Sequence, residues 1–231
     1  MPRCARLIST TLPLHIMNRG NNRQMIFRTN DEKSYFLYLL HDKKLENGVY
    51  IFHYCIMGNH FHLIVRVRSK EDLSRFLKQV FVAYYRFFEN HHEYAGHLFQ
   101  GRFKSIIIDA RSYLIQCGRY IENNAVRAKR VTDPYDYRYS SYRYYACGTF
   151  DPLVTPDPLY ADLGKTESER QDAYRRLVIN KTVVNSATLR SALFMGSEEF
   201  VKKMELDFGI RNIGVRSGRP KKEKSETSPF C

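Results

Sequence analysis

Cys55-Ile56-Met57-Gly58-Asn59-His60-Phe61-His62-Leu63-Ile64-Val65 is the stretch on which the fold turns. Its apolar, β-branched and aromatic residues read as a strand, and along a strand alternate side chains leave the same face. His60 and His62 therefore point together, with Phe61 turned to the opposite side. Two neutral imidazoles on one rigid face can offer two ligands to a divalent cation and leave positions open for substrate oxygens. Alone, His-x-His is too short to separate that reading from one packed and one exposed histidine.

Working outward, Val49 to Met57 is strongly strand-like and Gly58-Asn59 is a turn signal, so the two runs predict an antiparallel hairpin. Upstream, Leu12 to Gly20 reads as a further strand entering a polar loop. His15 lies in that strand and can face the side of the histidine pair, although a lone strand histidine reads first as a packing residue. In the loop, Arg19 and Arg23 flank Gly20 and Asn21, so a bendable backbone carries two cations that can meet a phosphate. Thr29-Asn30-Asp31-Glu32 is a capping box and predicts a helix with Tyr35, Phe36, Leu39 and Leu40 inward. Ser69-Lys70-Glu71-Asp72 opens a long amphipathic helix whose Leu73, Phe76, Leu77, Val80, Tyr84, Phe87 and Phe88 recur at helical spacing as core.

Gly96 to Ser105 alternates glycines, cations and aromatics, and Arg102 and Lys104 there suit contact with nucleic acid. A strand, Ile106 to Asp109, follows, then a helix from Arg111 to about Arg127. Tyr120 and Asn124 are four apart and share a helix face, so packing on the sheet can bring a phenol and an amide oxygen over the histidines. Tyr113, two turns earlier on nearly the same face, is the competing phenol. The element order predicts an α+β fold: a ferredoxin-like, RRM-like antiparallel sheet with helices on one face.

Beyond Asp133-Pro134 the tyrosine-rich run Tyr135 to Tyr145 is expected to pack back on the core, with Arg138 and Arg143 turned to nucleic acid. The Pro-rich segment from Thr149 to about Pro158 suits a boundary. The expected organisation is a catalytic domain over 1–148, a small helical region over 149–215 and a basic disordered tail over 216–231. Within the second part, Thr166-Glu167-Ser168-Glu169 starts a helix and a helix pair joins at Gly196.

The 231 residues carry a net charge of +13, which favours a polyanionic partner. Seventeen Tyr and 15 Phe beside those cations suit stacking on single-stranded nucleic acid. The five cysteines are scattered and form neither a metal-ligand spacing nor a disulfide framework. No apolar run is long enough to span a bilayer and no signal-peptide core precedes the chain, so a cytoplasmic protein without membrane contact is expected.

Several blocks taken together resemble a known family. These are Pro2-Arg3 with Ala5-Arg6, Met17-Asn18-Arg19-Gly20-Asn21, Met57 to Leu63, Gly96 to Ser105, and Arg119-Tyr120-Ile121-Glu122-Asn123-Asn124, with Gly218-Arg219-Pro220-Lys221 in the tail. They resemble the REP-associated tyrosine transposases, relatives of the single-tyrosine HUH transposases. The resemblance implies metal-dependent nicking and rejoining of single-stranded DNA hairpins formed by REP palindromes, through a covalent 5′-phosphotyrosine. It implies that Tyr120 is the nucleophile and that His60, His62 and Asn124 hold the metal, Mg²⁺ or Mn²⁺. The DNA contacts expected on this reading are Arg19, Asn21, Arg23, Arg102, Lys104, Arg119, Arg138 and Arg143. A monomer is expected, with a homodimer as the alternative. Where the family reads Asn-Pro, this chain has Asn124-Ala125, which predicts that the helix runs on. The competing class is a hairpin-binding protein, on DNA or RNA, derived from a transposase and without catalysis.

Overall fold

A computed structural model describes residues 6–111, 113–179 and 192–212. Residues 2–5 of the first block and the basic tail lie outside them. The core elements are β1 (Leu14–Arg19), α1 (Asn30–Glu46), β2 (Val49–Ile56), β3 (His60–Val67), α2 (Lys70–His92) and β4 (Lys104–Ile108). β1 pairs antiparallel with both β3 and β4, and β2 with β3, which gives the order β2-β3-β1-β4. This is the expected ferredoxin-like arrangement. The capping box at Thr29 and Glu32 starts α1, and Ser69 accepts the Asp72 N–H at the start of α2. Both helices lay their apolar stripes on one sheet face: Phe36, Leu40, Phe76, Val80 and Tyr84 meet Leu14, Ile16, Phe61, Leu63 and Val65.

The later helix, α3 (Leu114–Glu122), lies across the other face, the one that carries the histidine pair, as expected of the helix that brings Tyr120 over it. Its Leu114, Cys117, Tyr120 and Ile121 pack on Phe52, Ile64, Ile106 and Ile108. The strands are apolar on both sides, so the second face also needs a cover. A register shift between Ile51 and His53 helps, because it lets Phe52 and His53 both address α3. The helix comes closest at Gly118, where a Cβ would stand 2.5 Å from His53 Cε1. Any larger residue there would push α3 off the sheet.

The helix does not run on to Arg127. α3 stops at Glu122, and Asn124–Arg127 forms a separate single turn, α4. The missing proline is not needed for this break. Ala125 is fully buried against Cys55 and Met57, and that contact draws the chain down toward the end of β2.

The segment past Pro158 is also more than helical. α6 (Glu167–Ile179) is a helix, as is α5 (Tyr142–Cys147) ahead of the segment, but the helix pair expected around Gly196 is a strand followed by a helix. β5 (Phe194–Met195) pairs parallel with β4, making the sheet mixed, and α7 (Glu198–Phe208) follows. The open edge of β4 decides this. Ile107 N–H donates to Leu193 O at 2.9 Å and Asp109 N–H to Met195 O at 2.7 Å, so edge groups that would otherwise need water are paired. Among the described residues no helix is long and apolar enough to cross a membrane.

A buried polar clasp ties this later segment to α3. His53 Nδ1 lies 2.9 Å from Glu122 Oε1 and its Nε2 2.9 Å from Asp157 Oδ2, with all three side chains fully enclosed. Tyr174 on α6 donates to Glu122 Oε2, and Ser141 to Glu122 Oε1, each at 2.6 Å. Burial alone would lower the His53 pKa, but the hydrogen bonds and charges of Asp157 and Glu122 lift it to about 9. An unfolded histidine titrates near ~6.5, so the folded chain binds this proton more tightly. Its stabilisation is complete below ~pH 6.5 and is lost as pH rises through 9. The urea midpoint should therefore fall between pH 6.5 and 9, and His53→Gln should remove that slope. Parallel slopes in the two proteins would show that His53 is neutral in the fold.

Candidate active site

The register of β1 against β3 sets Arg19 opposite His60 and Met17 opposite His62, while β4 sets Lys104 opposite Met17. His60, His62, Arg19 and Lys104 thus share the face that α3 covers, together with His15. His62 is 5% exposed and His15 completely enclosed. Their rings meet, His15 Nε2 to His62 Nδ1 at 2.8 Å. His60 Nδ1 lies 2.6 Å from Asn59 Oδ1, an acceptor, so that nitrogen carries the proton and Nε2 keeps its lone pair.

From the other side, Asn124 at the start of α4 places Nδ2 3.4 Å from His60 Nε2. Its Oδ1 accepts from Arg127 Nη2 at 3.3 Å. The Arg127 guanidinium lies 3.5 Å above the centre of the Tyr120 ring. His60, Asn124, Arg127 and Tyr120 are therefore one chain of contacts, and His62 stands beside His60 with ring centres 5.1 Å apart. All four residues expected from sequence come together. The phenol is not open to solvent, however: Tyr120 is 5% exposed, beneath Arg127. Tyr113 stands at the start of α3 and packs against the apolar part of that face.

The histidines are held neutral. Burial, then the Arg19 and Arg127 charges, push His60 down to about 4. Burial takes His15 to about 4, and burial with His15, His60 and Arg127 takes His62 well below the ordinary range. Among the described residues no group of three or more His, Cys, Asp or Glu side chains could hold a metal ion. A cation at this place would instead meet two imidazoles and an amide. The donor chemistry fits, since each imidazole has its far nitrogen engaged, as ligating histidines require. The amide presents its NH₂ to His60, and a half-turn would present its oxygen.

The expected DNA contacts divide into two groups around this centre. Arg19 donates to Gln100 Oε1, Gln100 N–H to Arg19 O at 2.8 Å, and Asn21 N–H to Leu98 O at 2.9 Å, so the two loops form one ledge. Arg23 is exposed on that ledge, and its carbonyl accepts from Asn59 Nδ2 at 3.2 Å, close to His60. Arg102 and Lys104 are exposed at the start of β4. On the β2 side, Arg138 stacks 5.4 Å from the Tyr139 ring and Arg143 4.6 Å from that of Tyr135. Arg119 does not join them: it is 4% exposed, with Nη1 on Gln116 Oε1 at 2.9 Å, and offers little surface to a strand.

Two site residues went unassigned in the sequence reading. Arg127 is three residues past Asn124 and seven past Tyr120, a helical spacing that could have flagged it. His15 had the right strand parity, but only the β1–β3 register brings it against His62.

A family model for IS200-like transposases matches residues 8–124, a span that ends on Asn124. Among solved structures, the chain is similar to a REP-associated tyrosine transposase bound to a REP hairpin, with TM-score 0.52 and 17% identity over 68% of this chain and 93% of that one. It is also similar to a transposase-like protein of Deinococcus radiodurans R1, with TM-score 0.37 and 17% identity over 53% of this chain and 97% of that one. No curated protein matches.

Proposed function

This chain belongs to the IS200-like transposase family, and from that premise we propose that it nicks and rejoins single-stranded DNA hairpins of the REP type, with Tyr120 as nucleophile. The observation that supports this most is the unbroken contact chain from His60 through Asn124 and Arg127 to Tyr120. In the reaction the phenolic oxygen bonds to phosphorus, the P–O3′ bond breaks, the phenol's proton ends on the departing 3′-oxygen as a 3′-hydroxyl, and the tyrosine keeps a 5′-phosphate. A 3′-hydroxyl attacking that ester reverses the exchange, so the bond is stored without a nucleotide cofactor. A divalent cation, Mg²⁺ or Mn²⁺, bound by His60, His62 and the Asn124 oxygen, would polarise the scissile phosphate.

The remaining work falls to the chain's own side chains. Arg127 covers the phenol, and a guanidinium binds a phosphate in bidentate fashion more strongly than it binds a ring face. The arriving phosphate draws Arg127 away, uncovers the Tyr120 hydroxyl and releases the Asn124 amide to turn. The ledge of Arg19, Asn21 and Arg23, with Arg102 and Lys104 next to it, holds the backbone on one side. Arg138 and Arg143, each beside a tyrosine, hold it on the other. Arg119, being buried, is assigned to support of α3.

One observation favours a second reading. A phenol lidded by an arginine is also what a hairpin-binding descendant without catalysis would retain. A single gel separates the two. Labelled single-stranded REP-type hairpin is incubated with protein and Mn²⁺, denatured and resolved. A retarded band that survives denaturation is expected. Tight binding with no surviving band would overturn the enzyme in favour of the binding protein.

A further inference from the structure

The His15–His62 contact is the tightest polar link at the site whose role is open. It spans 2.8 Å between two enclosed rings with planes 19° apart. An imidazole that ligates a cation is neutral, and between two neutral rings the contact holds a single proton, on His62 Nδ1 or on His15 Nε2. If His15 donates, His62 must carry its own proton on Nε2, and that nitrogen cannot bind a cation. If His62 donates, its Nε2 is bare. The far nitrogen of His15, Nδ1, is buried without a hydrogen-bond partner in either case, as an N–H or as a lone pair, so its cost of about 1–3 kcal/mol does not strongly select between them. The geometry of ligation does select. His15 Nε2 occupies His62 Nδ1 at 2.8 Å, so only Nε2 is left to meet a cation, and Nε2 is bare only when His62 is the donor.

We propose that His15 is a positioning residue for His62: it accepts the Nδ1–H of His62 at Nε2 and so holds His62 in the tautomer whose Nε2 is free to bind a divalent cation. This rests on the assignment of His62 as a ligand in the proposed function. His60 is treated the same way by a different group, since the Asn59 amide oxygen takes its Nδ1–H. Each histidine of the pair thus has its own acceptor, one from β1 and one from the turn before β3. His15 is the more rigid of the two, since it sits in the centre of the sheet between β3 and β4.

The test uses the full-length, metal-free protein labelled with ¹⁵N in histidine. Two-bond proton–nitrogen correlation spectra should show His62 protonated on Nδ1 and bare on Nε2. His15→Leu should convert it to the Nε2–H form that free histidine prefers, and should weaken Mn²⁺ binding, followed by titration, about 10–100-fold. His15→Gln has an amide oxygen able to accept the same hydrogen bond, and should recover most of that affinity. An Nε2–H tautomer in the wild type, or an unchanged tautomer and affinity in His15→Leu, would overturn the proposal. If the leucine variant does not fold, the wild-type tautomer and the glutamine variant decide. Wild-type protein with the expected tautomer but no Mn²⁺ uptake would uphold the His15 hydrogen bond and overturn the ligand assignment instead.

Discussion

Tyr120→Phe protein forms no covalent DNA adduct, with adduct yield down by at least about 10³-fold, while it still binds the hairpin. The substitution removes one oxygen and keeps the ring. That ring is packed with Ile64, Ile106 and Ile121, so α3 keeps its seat on the sheet. Phenylalanine keeps the ring on which Arg127 stacks, and the loss of one hydroxyl costs about 1 kcal/mol of stability, too little to unfold the chain. In the proposed function the hairpin is held by the cations on either side, and these are untouched. Tyr113→Phe is the control and should leave the adduct intact, because Tyr113 sits at the other end of α3, away from Asn124. Adduct formation by Tyr120→Phe, or its loss in Tyr113→Phe alone, would move the nucleophile.

The second large effect is on His60→Ala/His62→Ala. Cleavage that depends on added Mn²⁺ should fall by at least about 10³-fold, with hairpin binding again retained. The two positions differ in what else they cost. His60 is only half buried, and its removal frees Asn59 to find water. His62 is 5% exposed, and its loss opens a small cavity and strips His15 Nε2 of its partner. Such a buried polar group left alone costs about 1–3 kcal/mol, so melting curves must accompany the assay. His60→Ala by itself is then the cleaner arm. Cleavage that persists in the folded double variant would eliminate the metal from the reaction.

The legible parts of the site are those set by one element's own repeat. His60 and His62 share a face because a strand alternates, and the four-residue spacing of Tyr120 and Asn124 keeps the two on one side of the chain although α3 ends at Glu122 and Asn124 opens α4. The same rule separated Phe61 from its neighbours and sent it to the α1–α2 core, where it is fully buried. The enclosure of Arg119 is not legible locally, because its burial on α3 comes from what packs around that helix. β5 was missed because two paired residues are too few to show a period, and what makes them a strand is the open edge of β4.

By itself, then, the amino-acid order determined the ferredoxin-like core, the histidine pair on one face of β3 and the four-residue spacing of the phenol and the amide. Those features depend on neighbours within a few residues along the chain. Tertiary structure alone decided that Arg127 lids Tyr120, that His15 meets His62, and that His53 is clasped between Glu122 and Asp157. Each of these joins segments, or turns of one segment, whose meeting depends on strand register, on the break after Glu122 or on burial. Those quantities are fixed by the packing of the whole chain, which no local periodicity encodes.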